Sequence, residues 1–227
     1  MELPRVKRPV CVRNGGWSLL LCLFIVPLDL LARGDGDDGR HVRANLVEVV
    51  TLDSTIKLDI RYATPHNFMG RAMYNRPRAF LQRSVAHALV RVHRRLQRRG
   101  YGIIILDAYR PWSVTKKFWE ETPLEKRDYV ANPSDGSRHN RGAAVDVSLY
   151  QLSTGREVSM PSAYDEFNER ASPTYSGGTS EQRKLRDLLR SSMEREGFRV
   201  HSHEWWHFTH KKWRAYEILD IPFEQLD

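Results

Sequence analysis

An uninterrupted apolar run, Tyr101-Gly-Ile-Ile-Ile-Leu106, constrains the fold of this chain more than any other feature. A run of this length without polar positions is typical of a strand buried on both faces at the centre of a sheet. The segment before it, from Ser84 to Arg99, has apolar residues at helical spacing and ends at Gly100, with Ser84 as a possible cap. These apolar residues are Val85, Leu89, Val92 and Leu96. The pattern therefore predicts an amphipathic helix that leads into a central strand.

Three further segments set the fold class. Ala143 to Leu149 alternates with period two, which is typical of a strand, and places Asp146 between two valines that are predicted to be buried. Ser180 to Glu196 predicts a second helix that Gly197 ends, and Phe198 to Phe208 predicts a strand-like segment. Helices and strands are mixed without a strict βα repeat. We therefore predict a single α+β domain with a central, largely antiparallel sheet and flanking helices.

The first 33 residues differ from the rest, since a basic start precedes an apolar run from Trp17 to Val26. That run is shorter than the roughly 20 residues that span a bilayer. We predict a secretory signal peptide at 1–33, with a retained N-terminal anchor as the alternative because Leu30-Leu-Ala-Arg33 lacks a small-x-small cleavage pattern. Residues 34–40 read as a flexible junction and 41–227 as the folded domain. The expected location is periplasmic or extracellular, with membrane contact only if the segment is retained.

Composition excludes two classes of site. Both cysteines, Cys11 and Cys22, precede the folded domain, which therefore has neither a disulfide framework nor a cysteine-ligated zinc module. The formal net charge is +8, and the outer face of the first predicted helix is rich in arginine. Such a face can bind nucleic acid, but no aromatic residues are interleaved for base stacking. A solvated helix face is favoured, and we predict no nucleic-acid partner. The arginines are Arg91, Arg94, Arg95, Arg98 and Arg99.

Two short segments combine a metal-ligand set with a base. His139 and Asp146 lie in the first segment, Ser137-Arg-His-Asn-Arg-Gly-Ala-Ala-Val-Asp146. Glu204 and His207 begin and end the second segment, Glu204-Trp-Trp-His207. Two imidazoles and one carboxylate are the ligand set of a catalytic zinc, which keeps a fourth position open for water. Glu204 is placed to take the proton of that water. Asp146 between buried valines is also costly unless a partner satisfies its charge. The pattern predicts a zinc peptidase with one Zn²⁺ per chain.

A second histidine pair leaves the ligand set open. His201 and His203 would lie on the same face of the predicted strand, and such pairs also bind zinc. If His203 were a ligand, His207 would be the spectator, and spacing alone does not separate the two. The same ligands would also accept cobalt or nickel in place of zinc.

In these segments and several others, the chain resembles the D-alanyl-D-alanine dipeptidases of the vancomycin-resistance type. These zinc enzymes are related to D-Ala-D-Ala carboxypeptidases, lysostaphin-type endopeptidases and the hedgehog signalling domain. The similarity runs from about Val47 to His210. It rests on short motifs that occur in the same order as in the family. They are Tyr62-Ala-Thr, Asn67-Phe, Gly102 with the strand after it, Asp107-Ala-Tyr-Arg-Pro111, Ser137-x-His-x-x-Gly-x-Ala-x-Asp146, Leu149-Tyr, Thr154-Gly, Asp165-x-x-x-Glu-Arg170 and Glu204-Trp-Trp-His207. The resemblance implies metal ligands at His139, Asp146 and His207, with Glu204 as the catalytic base.

The resemblance implies roles for four more residues. Arg110 matches the arginine that stabilises the oxyanion of the tetrahedral intermediate, an effect of about 3 kcal/mol, although it could merely pair with Asp107. Ser137 matches a residue that contacts the substrate. Asp165 and Tyr62 match the groups that hold the free α-amino group of the dipeptide. We therefore expect zinc-dependent hydrolysis of the small dipeptide D-Ala-D-Ala.

Two alternatives remain at this point. One is a D,D-carboxypeptidase or endopeptidase that acts on peptidoglycan stem peptides. The other is a non-catalytic zinc-containing binding domain, against which Glu204 and Arg110 argue because a binding module needs no base beside its metal. The resistance enzymes work in the cytoplasm, so the predicted export signal favours cell-wall peptide turnover or scavenging. The stretch from Trp112 to Arg138 is shorter than expected for the family, and the sequence does not predict an oligomeric state.

Overall fold

The structure is a computed structural model that describes residues 42–226. The predicted signal peptide at 1–33 and the junction at 34–40 lie outside the described residues. Within 42–226, no helix is both long enough and apolar enough to cross a bilayer. In chain order the elements are β1 (Leu46–Glu48), α1 (Val49–Leu52), β2 (Lys57–Leu58), β3 (Phe80–Gln82), α2 (Arg83–Gln97), β4 (Tyr101–Asp107), α3 (Trp112–Glu121), β5 (Ala144–Gln151), α4 (Ser180–Arg195), β6 (Phe198–Val200) and β7 (His207–His210).

A five-stranded sheet in the order β2-β4-β5-β7-β6 forms the centre of the domain, and β1 pairs with β3 in a separate small sheet. In the five-stranded sheet, β2 is parallel to β4, whereas the other neighbouring pairs are antiparallel. The predicted central strand is therefore β4, and the predicted α+β class with a largely antiparallel sheet is confirmed.

The two faces of the sheet have different neighbours. The alternation predicted for β5 holds, because Val145, Val147 and Leu149 are buried in the main core together with residues of α2 and α4. The opposite face carries a small apolar cluster formed by Ile104, Leu106 and Tyr150. Since side chains alternate along a strand, Asp146 lies on this second face, away from the main core.

The two long helices match their predicted positions, but one predicted cap is wrong. Helix α2 begins at Arg83, and the Ser84 hydroxyl lies 2.7 Å from the Tyr216 hydroxyl instead of capping the helix. On its outer face, Arg91 and Arg95 pair with Glu196 at 2.7 and 2.8 Å. Helix α4 begins with a capping box from Thr179 and Gln182 and is followed by Gly197, which has a φ of 88°.

The strand predicted over Phe198 to Phe208 is wrong in one respect. The segment forms two antiparallel strands, β6 and β7, which are joined by a loop that contains His201 and His203. Tertiary pairing overrides the local pattern here, because the chain folds back so that Val200 pairs with Phe208. The two histidines therefore lie in a loop and not on one strand face.

Two glycines are needed for close approaches near the sheet. A Cβ at Gly102 in β4 would overlap the ring of Tyr150 from the adjacent β5. Gly142 has a φ of 61°, and a Cβ there would lie 3.2 Å from the Gln82 backbone nitrogen. The left-handed turn at Gly142 leads the chain into β5. Just before it, the His139 carbonyl accepts from the Arg110 backbone nitrogen at 3.2 Å, which holds the turn against the segment that follows β4.

Candidate metal centre

The three predicted metal ligands come from three different elements. His139 begins a single 3-10 turn, His139–Arg141, which Gly142 ends. Asp146 lies on β5, and His207 is the first residue of β7. Asp146 and His207 are register partners of the antiparallel pair β5 and β7. Strand pairing therefore places two of the side chains together, and the turn at Gly142 adds the third.

The ligand atoms form a compact triangle. His139 Nε2 lies 3.1 Å from His207 Nδ1 and 3.4 Å from Asp146 Oδ1, and the third edge, from His207 Nδ1 to Asp146 Oδ1, is 3.0 Å. Tetrahedral zinc with ligand distances of roughly 2.0–2.1 Å requires about 3.3 Å between its ligands. Within residues 42–226, these three residues are the group of histidines and acidic residues with metal-site spacing. Their spacing fits a tetrahedral metal ion.

Each ligand is oriented by a hydrogen bond from its other polar atom. His139 Nδ1 donates to the Ala108 carbonyl at 2.6 Å, which directs Nε2 at the site. His207 Nε2 is 3.2 Å from the Thr209 hydroxyl, and Asp146 Oδ2 accepts from the Tyr164 hydroxyl at 2.9 Å. Such outer contacts fix the tautomer and orientation of metal ligands.

The side chain of Asp146 has a buried oxygen that indicates a site for a cation. Its side chain is buried, and Oδ1 has no hydrogen-bond partner of acceptable geometry in the described part of the chain. Burial by itself would raise the pKa of this carboxyl, but His139 and His207 together lower it below its ordinary value. A buried anionic oxygen without a partner is costly, and a cation at the centre of the triangle would satisfy it.

The competing histidines lie beside the cluster but do not join it. The ring of His201 is 5.4 Å from the ring of His207, and the ring of His203 packs against His201 at 5.7 Å. Both residues are exposed in the loop that joins β6 and β7. The geometry thus brings together the ligand set implied by the resemblance, with His207 and not His203 as its third member.

Glu204 lies next to the triangle. Its Oε2 is 3.8 Å from His207 Nδ1, and the side chain is half-buried beside the buried Trp205 and Trp206. In the metal-free protein, burial and the negative charge of Asp146 raise the pKa of Glu204 to about 8. The position of the carboxyl beside the triangle suits a group that accepts a proton and later returns it.

Arg110 pairs with Asp107, and its position is also compatible with the catalytic role predicted from the resemblance. Its guanidinium donates to Asp107 Oδ2 from Nη2 at 2.7 Å and from Nε at 3.2 Å, and it also lines the cavity that contains the three ligand side chains. The guanidinium is stacked over the rings of Phe118 and Tyr62, at 4.7 and 5.1 Å from their centres. The pairing with Asp107 thus holds the cation in the cavity wall.

Asp165 and Tyr62 lie together at another part of the cavity. The Tyr62 hydroxyl donates to Asp165 Oδ1 at 3.3 Å, and the Phe68 backbone nitrogen donates to Oδ2 at 3.4 Å. Asp165 has a φ of 57°, a left-handed conformation that aspartate tolerates better than most residues. Burial and the negative charge of Asp146 raise the pKa of Asp165 to about 7.

Ser137 is buried beside the triangle of ligand atoms, and its hydroxyl accepts from the His139 backbone nitrogen at 3.2 Å.

One cavity of about 410 Å³, here called the catalytic cavity, collects all of these side chains. The predicted site residues that line it are Tyr62, Arg110, Ser137, His139, Asp146, Asp165, Glu204 and His207. Sequence reasoning missed Tyr164, whose hydroxyl binds the ligand Asp146. Its one signal in the sequence is its position next to Asp165.

Comparison with known proteins agrees with this geometry. A family model described as D-Ala-D-Ala dipeptidase matches residues 42–218. The D-alanyl-D-alanine dipeptidase of Enterococcus faecalis is 33% identical over 186 residues, which cover 74% of this chain and 88% of that protein. The enzyme of the same name from Escherichia coli is 30% identical, covering 78% and 91%, and that from Enterococcus faecium is 33% identical, covering 68% and 85%.

Proposed function

The chain belongs to the D-Ala-D-Ala dipeptidase family of peptidases, and we propose that it hydrolyses the dipeptide D-Ala-D-Ala at the candidate metal centre. The observation that carries the proposal is the triangle of ligand atoms, 3.0 to 3.4 Å apart, with the Glu204 carboxylate at its side. A binding domain has no need of a proton acceptor at that position.

We propose zinc as the metal, held by His139, Asp146 and His207. Nitrogen and carboxylate donors in a three-residue set with an open side are the ligand type of catalytic zinc. When bound there, the ion supplies a Lewis acid that polarises the scissile carbonyl and makes water more acidic. The partnerless Oδ1 of Asp146 supports the presence of a cation between the three side chains.

The protein groups divide the proton and charge transfers between them. Glu204 accepts a proton from the attacking water, whose oxygen adds to the carbonyl carbon. Arg110 donates hydrogen bonds to the oxygen that becomes negative, and because Asp107 already fixes its guanidinium, little reorganisation is required. Glu204 then delivers its proton to the amine as the C–N bond breaks. The two products are free D-alanine molecules.

The amine end of the substrate is assigned to Asp165. A half-buried carboxylate whose two oxygens are held by Tyr62 and by the Phe68 backbone is positioned to accept a hydrogen bond from an ammonium group. A longer peptide would carry its amine elsewhere, and an acetylated one has no positive charge. This argument favours a dipeptidase over a carboxypeptidase or an endopeptidase.

The decisive experiment measures bound zinc and hydrolysis with the full chain. Rates are compared for D-Ala-D-Ala, L-Ala-L-Ala and N-acetyl-D-Ala-D-Ala. We expect one zinc ion per chain and cleavage of D-Ala-D-Ala far above the other two. Hydrolysis of the acetylated dipeptide as fast as the free one removes the role of Asp165, and failure to cleave D-Ala-D-Ala refutes the proposal.

We further propose that the enzyme is exported and serves cell-wall peptide turnover or nutrient scavenging. Support comes from the basic and apolar pattern of residues 1–33, which is typical of a signal peptide. Fractionation of cells that produce the full chain tests this proposal. Recovery of the enzyme in the cytoplasmic fraction alone would contradict it.

A further inference from the structure

A second cavity, of about 350 Å³, adjoins the catalytic cavity. Arg138, His201 and His207 line both cavities, so the two share a wall at the metal centre. We call the second cavity the basic cleft. Four cationic side chains and one aromatic side chain line it, and these are Arg138, Arg199, Lys211, Arg214 and Trp213.

The sheet explains why the basic cleft begins at the metal. Thr209 follows His207 by two residues on β7, so both side chains lie on the same face. Arg199 on the edge strand β6 is the register partner of Thr209. The face that carries the metal ligands therefore continues without interruption to Arg199 at the edge of the sheet.

Within the described part of the chain, no acidic side chain compensates the charge of the basic cleft. Its lining over residues 42–226 contains neither aspartate nor glutamate. Within residues 42–226, no ion pair with an acidic side chain involves any of its four cations, whereas Arg91 and Arg95 elsewhere are paired with Glu196. Several unpaired cations on a concave surface produce a positive potential that attracts an anion.

Trp213 arranges two of these cations. The guanidinium of Arg138 is stacked 4.9 Å from the centre of its ring and that of Arg214 lies at 4.4 Å. Cation–π attraction to one ring holds both guanidiniums near each other, and guanidinium N–H groups bind oxyanions well. A carboxylate that binds there can meet donors from two arginines.

The direction of the substrate follows from which residues line which cavity, and this step rests on the proposed function. Asp165 and Tyr62 line the catalytic cavity but not the basic cleft. With the ammonium at Asp165 and the scissile carbonyl beside Glu204, the first residue of the dipeptide lies between them. The second residue then extends past His207 toward Arg138, at the entrance to the basic cleft.

We propose that the basic cleft binds an acidic side chain on the second residue of the dipeptide. The substrate class of the enzyme then includes dipeptides such as D-Ala-D-Glu beside D-Ala-D-Ala. Hydrolysis proceeds as before and releases D-alanine and the acidic amino acid. The side-chain carboxylate binds to guanidinium groups of the basic cleft, Arg199 and Arg214 among them.

The test compares D-Ala-D-Glu with D-Ala-D-Gln, which has the same shape without the charge. Binding to the metal-free full chain is measured by titration calorimetry. We expect the acid to bind roughly tenfold more tightly, the effect of one charge-assisted hydrogen bond. Arg199→Ala and Arg214→Ala should each reduce this ratio, whereas Arg99→Ala, an exposed arginine outside both cavities, should leave it unchanged. Equal or undetectable binding of the two dipeptides overturns the inference.

Two further measurements separate this inference from the proposed function. Hydrolysis of D-Ala-D-Ala by the zinc-loaded enzyme tests the proposed dipeptidase function alone. If hydrolysis is absent while the protein still binds D-Ala-D-Glu more tightly than D-Ala-D-Gln, only the dipeptidase function is refuted. Inorganic phosphate is titrated into the same proteins. If phosphate binding depends on Arg199 and Arg214 while the dipeptide preference is absent, the basic cleft is an independent anion site, and the inference is wrong.

Discussion

Arg110 donates two hydrogen bonds to one oxygen of Asp107, at 2.7 and 3.2 Å, from a position in the wall of the catalytic cavity. Asp107 is completely buried, and its other oxygen accepts from the Tyr74 hydroxyl at 2.8 Å. The aspartate thus fixes the direction of the guanidinium and balances its charge. The sequence offered pairing and catalysis as alternatives for Arg110, but the geometry accommodates both.

Asp107→Asn tests this relationship. The change keeps the size of the side chain but leaves a buried guanidinium without its counter-charge. We expect kcat to fall by roughly tenfold to a hundredfold, somewhat less than the 10²–10³ lost when an oxyanion donor is removed. Stability should fall by roughly 3 kcal/mol in urea unfolding because a buried charge loses its partner. An unchanged kcat would show that the orientation of Arg110 does not matter for the reaction.

Glu204→Gln tests the catalytic base. We expect kcat to fall by roughly 10²–10⁴-fold, because the amide cannot accept a proton from water. Zinc content, measured by elemental analysis, should remain at the wild-type level since Glu204 is not a ligand. Glu194→Gln, on the exposed side of α4, is the matched control and should leave kcat unchanged. Full peptidase activity in Glu204→Gln would disprove the mechanism.

The identity of the third ligand is tested by paired histidine variants. His207→Ala should lose both zinc and activity, because His207 Nδ1 forms two edges of the ligand triangle. His203→Ala should retain the metal, since His203 lies in the exposed loop. Treatment of the wild-type enzyme with a chelator should abolish activity, and added Zn²⁺ should restore it. Loss of zinc from His203→Ala with retention in His207→Ala would reverse the assignment.

Asp165→Asn tests recognition of the substrate amine. Removal of the charge should raise KM for D-Ala-D-Ala with a smaller effect on kcat, because the ammonium is bound in the ground state and the transition state alike. The size expected is roughly tenfold or more in KM, as for loss of a charge-assisted hydrogen bond. The rate with N-acetyl-D-Ala-D-Ala should not change. A KM equal to that of the wild type would place the amine elsewhere.

Gly142→Ala tests the turn that brings His139 over the sheet. Gly142 has a φ of 61°, and a new Cβ would also lie 2.5 Å from Leu46 Cδ2 and 3.2 Å from the Gln82 backbone nitrogen. Left-handed backbone costs an L-residue roughly 1–2 kcal/mol, and the contact adds to it. Gly70→Ala is the matched control, because Gly70 has a φ of 65° with nothing within 4 Å of a Cβ. In urea unfolding, Gly142→Ala should be the less stable variant, and equal stability would show that the contacts with Leu46 and Gln82 are unimportant.

Part of this protein can be predicted from its sequence for local physical reasons. The run Tyr101–Leu106 has no polar position, so it is stable only with both faces covered, and it became β4 at the centre of the sheet. The alternation before Leu149 predicted which face Asp146 occupies. The family resemblance, which the matching family model confirms, indicated the chemistry from short motifs.

Other features depend on contacts between distant segments. The hairpin of β6 and β7 was predicted as one strand, because pairing of Val200 with Phe208 leaves no local periodic signal. Spacing could not choose between His203 and His207, since the choice depends on the register that puts Asp146 opposite His207. The basic cleft joins Arg138, Arg199 and Arg214, whose convergence no motif indicates. Hydrophobic periodicity depends on residues that are close in the sequence, so the sequence alone determined most helices and strands. Strand register and the turns between strands depend on tertiary contacts, and they decided which charged side chains and metal ligands lie together.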